Sequence, residues 1–169
     1  MAHLNTTDPV VLGYLMDDLI YTFQTNETSN VPSIDTISNK PITGYTFLGE
    51  NKQHILYLIE DQQYEYFSEK ALDAFSKTVQ ALNLSMVDVA VMNVARQSTE
   101  ITFEKIVHFF NPQKIIFSGP SPDQYGLPQL PLNQAAKEKN IHMLYTYTFE
   151  EMLQEINKKK TFWMQVKNL

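Results

Sequence analysis

Apolar residues fall into two alternating patterns along this chain: spaced stripes that suit helices and short continuous runs that suit buried strands. Near the start, Val11, Leu12, Leu15, Leu19, Ile20 and Phe23 recur at helical spacing behind Asp8-Pro9. An N-cap with proline at the first helical position predicts a helix to about residue 23, with Asp17 and Asp18 on its polar side. Residues 24–43 hold Thr, Ser, Asn and Pro and almost no large apolar group, which reads as a linker or long loop. The chain thus divides into an N-terminal helix with its linker, 1–43, and an α/β domain, 44–169.

Within that domain the segment 44–49 (GYTFLG) predicts an edge strand or hairpin arm, and HILYLI at 54–59 predicts a strand covered on both faces. Ser68 is placed to cap a helix through about residue 82, with Leu72, Phe75, Val79 and Leu82 on its buried side and Asn83 ending it. VDVAVMNV at 87–94 is the next strand. Ser98 or Thr99 is placed to cap a helix that buries Phe103, Ile106, Val107 and Phe110 and stops at Asn111-Pro112. A strand at 114–118 runs into a loop carrying Gly119, Pro120, Pro122, Pro128 and Pro131. A polar, partly helical piece is expected at 132–140, then a strand at 141–147. Thr148 and Glu151 form the capping-box pattern of a last helix that starts at Phe149 and buries Met152, Ile156, Phe162 or Trp163, and Val166. Strands alternating with helices imply parallel pairing with crossovers of one hand. The expected fold is a three-layer αβα sandwich around a mostly parallel sheet of about four strands.

Composition narrows the chemistry. Among 169 residues, 13 basic and 19 acidic side chains give a net charge of −6, with no overall attraction for a phosphate backbone, so direct DNA binding is disfavoured. Without cysteine, these residues offer no disulfide, thiolate metal site or cysteine nucleophile. His3, His54, His108 and His142 lack ligand spacing, so neither a metal nor a cofactor is expected. No run approaches the ~20 apolar residues of a membrane span, and the first residues lack a secretory pattern, so a cytoplasmic protein is expected.

The order VDVAVMNVARQ, then ITFEKIVHFFNPQKIIFSGPSPDQYG, then NIHMLYTYTFEEM resembles the second half of the uracil-DNA glycosylase fold, with HILYLIEDQQYEY upstream in the place of the strand that enters its first catalytic loop. The resemblance implies that Asn93 falls at the base-recognising Asn and Asp61 near the water-activating Asp. It also implies departures. The Gly-Gln-Asp-Pro-Tyr-His loop is replaced by Ile59-Glu60-Asp61-Gln62-Gln63-Tyr64, and the His-Pro-Ser-Pro loop by Tyr147-Thr148-Phe149-Glu150. An extruded base needs a snug pocket and its leaving group needs stabilised charge; the groups that supply them in that family are missing, so no catalytic residue is assigned. The chain in this respect is similar to the psi-subunit branch of the fold, scaffolds of the bacterial DNA polymerase III clamp loader whose N-terminal segment engages a protein partner. That implies a clamp-loader-type partner and a docking stripe of Tyr14, Leu15, Leu19 and Ile20.

Two expectations therefore stand. One is a non-catalytic interaction scaffold. The other is an enzyme or a domain binding a small ligand or nucleobase at the C-terminal edge of the sheet, through Asp61, Tyr64, Asn93, Ser118 and Gly119. Each of these five has a structural reading beside the functional one: turn carboxylate, lid, turn-capping amide, and proline-stiffened turn.

Overall fold

The computed structural model describes residues 44–169; the helix and linker expected over 1–43, with Tyr14, Leu15, Leu19 and Ile20, lie outside the described residues. The continuous apolar runs form strands β2 (Ile55–Ile59), β3 (Val89–Asn93), β4 (Lys114–Ser118) and β6 (Ile141–Thr146), which pair in parallel in the order β3-β2-β4-β6. Their helices are α1 (Glu69–Ala81), α2 (Phe103–Phe110), α3 (Phe149–Gln154) and α4 (Ile156–Val166). The α/β class holds, but the sheet has six strands rather than about four. Short β1 (Leu48–Gly49) adds antiparallel to β3, and β5 (Ala135–Glu138) adds antiparallel to β6. Gly49 takes φ +95°, and a side chain there would meet the Val89 carbonyl, so glycine lets the edge approach β3.

The chain steps from β2 out to β3 and then reverses past β2 to β4. Because crossovers keep one hand, that reversal puts successive connections on opposite faces. Tyr57 and its odd-numbered strand-mates pack under α1, α3 and α4 with Phe75, Phe149 and Phe162. Leu56, Leu58 and Met92 face α2 and the proline loop, through Ile106, Phe110 and Tyr125. Both faces of the central strands are therefore dry, which is why their sequences do not alternate.

Four local expectations need correction. Residues 135–138 form a strand, not a partial helix: Lys139 and Asn140 both take positive φ, the geometry of a tight hairpin turn, and the backbone pairing this permits with β6 overrides the helical preference of Ala-Ala-Lys-Glu. The cap of α2 is Thr102, whose hydroxyl accepts from Lys105 N, rather than Ser98 or Thr99. On α1, Ala71 is buried and Leu72 is exposed. The last helix breaks at Glu155, with φ −126° and ψ 108°. That break changes the helical phase, so Ile156, four residues after buried Met152, points to solvent at 68% exposure, while Phe162 and Val166 bury.

Candidate functional site

Connections leave β2 toward β3 and β4 toward β6, so the crevice between the C-terminal ends of β2 and β4 is the topological switch point where open α/β sheets bind ligands. Ser118 and Gly119 end β4 there, Asp61 follows β2, and Asn93 ends β3 beside it. The structure brings these residues to one end of the sheet.

Their polar atoms are directed at their own loops. Asn93 is fully buried. Its Nδ2 donates to the carbonyls of Asp61, Tyr64 and Glu65 at 2.9, 3.1 and 3.0 Å, and its Oδ1 accepts from the Asp61 and Ala95 amides at 3.1 Å each. The amide thereby holds the loop after β2 and caps the 3-10 turn Val94–Arg96. Asp61 Oδ1 accepts from the amides of Gln63 and Tyr64 at 2.7 and 2.8 Å, an Asx turn that gives the loop the curl Asn93 grips. Ser118 is buried and its hydroxyl donates to the Tyr147 carbonyl at 2.9 Å. Gly119, at φ +110°, donates its N–H to the Thr146 carbonyl, and an added Cβ would lie 2.8 Å from Thr148 Cγ2. Tyr64 is 46% exposed and lies on the outside of the loop.

Phe67 fills the space a ligand would need. Its ring lies 5.0 Å from Phe75 and 5.7 Å from Phe149, and the crevice bounded by Glu60, Asp61, Phe67, Ser118, Thr148 and Phe149 retains about 10 Å³, at most one water. A larger cleft of about 300 Å³ opens on the β3 side, between Thr46, Glu65, Tyr66, Asn93, Arg96 and Gln97. Several of its polar groups are cross-bonded: Gln97 bridges to Thr46 and the Asn93 carbonyl, and Arg96 donates to the Gln62 carbonyl at 2.7 Å. Among the described residues no group of three or more His, Asp or Glu side chains could hold a metal ion.

Thr148 and Glu151 close the far wall through both arms of the capping box. The hydrogen bond from the Thr148 backbone is the main cause holding the Glu151 carboxyl below its ordinary value, with Lys158 adding to it. Lys158 is drawn down rather than solvated: it pairs with Glu151 at 3.2 Å and Glu155 at 2.9 Å and sits 4.8 Å over the Tyr147 ring. Lys159 and Lys160 are exposed.

One surface escaped sequence reasoning because it depends on the break at Glu155. Ile156, Trp163 and Met164, at 68%, 36% and 53% exposure, share the outward side of α4 with Lys160. No protein-family model matches the chain, and no curated protein matches it either.

Proposed function

We propose that the chain is a non-catalytic interaction scaffold, built on a glycosylase-like plan and acting in the cytoplasm as a psi-like accessory subunit on a clamp-loader-type protein partner. The observation that carries this reading is the packed switch point. Base chemistry needs room for a base and polar groups free to meet it, whereas Phe67 occupies the crevice and Asn93 makes five hydrogen bonds to backbone. A loop clamped so firmly suits a rigid platform. The outward apolar side of α4 adds support, since exposed Trp, Ile and Met beside lysine suit a protein contact better than solvent.

The test is a pull-down of clamp-loader subunits by the full chain and by a chain lacking residues 1–27. Loss of recovery in the shortened chain supports docking through Tyr14, Leu15, Leu19 and Ile20; equal recovery overturns that docking and leaves α4 to be tested with Trp163→Ala. Recovery of no clamp-loader subunit by the full chain overturns the psi-like reading. Release of uracil from single-stranded DNA above a no-protein control would overturn the non-catalytic reading.

A further inference from the structure

The opposite end of the sheet holds a cavity of about 310 Å³, between the C-terminal ends of α1 and α4 and over the N-terminal ends of β2 and β4. Its floor is apolar, formed by Ile55, Tyr57 and Ile116, with Leu82 and Val166 as walls. Its rim carries two cations, Lys114 and Lys167, and two amides, Gln53 and Gln113. Leu84 and the last residue of the sequence, Leu169, complete the lining, which holds no Asp or Glu side chain, and neither lysine forms an ion pair among the described residues. In a chain of net charge −6 this is an uncommon local balance.

Tyr57 supplies the second observation. The residue is 1% exposed, with its ring edge-on to Phe75 at 5.0 Å. Burial alone pushes its hydroxyl up from the ordinary tyrosine value; no hydrogen bond or charge contributes. The hydroxyl has no partner among the described residues, yet it is not among the completely enclosed unpartnered atoms, which are Asn51 Oδ1 and His54 Nδ1. Tyr57 is also one of the residues that line the cavity. A buried hydroxyl without a partner adds nothing to the stability of the fold, and Phe at this position would fill the same core.

We infer that this cavity is a binding site for a small amphiphilic carboxylate, its anionic head between Lys114 and Lys167, its apolar body on Ile55 and Ile116, and an oxygen acceptor on the body meeting the Tyr57 hydroxyl. The volume lies at the small end of ligand pockets, and an apolar floor with a few convergent polar groups is their usual make-up. The site is independent of the scaffold reading and of the switch point, and stands whether or not a protein partner is found.

The experiment titrates 4-oxo-4-phenylbutanoate into methyl-labelled full-length protein by NMR. Its carboxylate, ketone and phenyl ring match the three features of the site. The Ile55, Ile116 and Val166 methyl resonances should move together. Two controls act on the unmodified protein, so no folding defect intervenes: the neutral amide of the probe should bind about tenfold more weakly, and 4-phenylbutanoate, which lacks the ketone, several-fold more weakly. Lys114→Ala with Lys167→Ala should erase the preference for acid over amide, and Tyr57→Phe the preference for ketone. Methyl resonances that stay fixed at millimolar probe overturn the site, and equal binding of acid and amide overturns the role of the lysines.

Discussion

Between the C-terminal ends of β2 and β4 almost no space remains, and beside them the buried side chain of Asn93, at the end of β3, satisfies five backbone groups although the residue borders a cleft of about 300 Å³. At the N-terminal ends of the same strands another buried polar group, the Tyr57 hydroxyl, satisfies none among the described residues and borders about 310 Å³ of space. Location at the conventional end of a parallel sheet thus does not by itself leave polar groups free to meet a ligand. The difference lies in hydrogen-bond accounting: a closed polar network gives rigidity, and an open one gives a place for something else to bind.

The sharpest way to break the comparison is to spoil the closed network. Asn93→Asp keeps the shape and the acceptor that meets the Asp61 and Ala95 amides, but turns an oxygen toward three carbonyls in a fully buried site. The expected loss is roughly 3 to 5 kcal/mol in urea unfolding; a loss under about 1 kcal/mol would mean the loop does not depend on this clamp. Next in size is Gly119→Ala. Its φ of +110° and the 2.8 Å approach to Thr148 Cγ2 predict about 2 kcal/mol of destabilisation. Adding Thr148→Ser, which keeps the capping hydroxyl and removes the methyl, should restore part of it; no restoration would assign the whole cost to backbone strain.

How much of this could be read in advance depends on how local each feature is. The four parallel strands were legible because HILYLI, VAVMN, KIIFS and IHMLYT are continuous apolar runs, and such runs have few other uses in a domain of this size. Ser68 and the Thr148–Glu151 box were legible because a cap and its helix lie within four residues. Asn93 could be placed at a strand end, but its role depends on Asp61 curling a loop some thirty residues away, which spacing does not encode. The strand at 135–138 and the break at Glu155 are tertiary outcomes, the first set by the free edge of β6 and the second bridged by Lys158, which pairs with Glu151 before the break and with Glu155 at it. The N-terminal cavity left no motif at all, since Ile55, Leu82, Lys114 and Val166 come from four separate elements or their ends.

A smaller effect is expected at the wall beside Gly119. Thr148→Ala removes the hydroxyl that accepts from Glu151 N and should cost about 1 kcal/mol. Glu151 makes part of that wall pH-dependent. Its folded value lies below its ordinary 4.5, so its contribution is fully present above about pH 4.5 and is lost as pH falls through the depressed value. Stability measured from pH 6 down to pH 3 should therefore fall less steeply in Glu151→Gln than in the parent chain, and parallel curves would show that the box holds through geometry alone.

The smallest expected effect is the most discriminating. Tyr57→Phe deletes one oxygen from the centre of the core, in a residue as buried as Asn93, and ordinary experience with buried tyrosines whose hydroxyls are bonded predicts a loss of about 1 to 2 kcal/mol. Here the hydroxyl bonds no described group, so the expected change lies within about 0.5 kcal/mol of zero, with a slight gain as the favoured sign because an unpaired polar atom leaves the interior. A loss above 1 kcal/mol would mean that the free protein already supplies the hydroxyl with a partner, and the contrast between the two ends of the sheet would collapse. A near-zero change, set against the multi-kcal/mol loss at Asn93, would show that two equally buried polar residues differ in role because one completes the fold and the hydroxyl of the other does not.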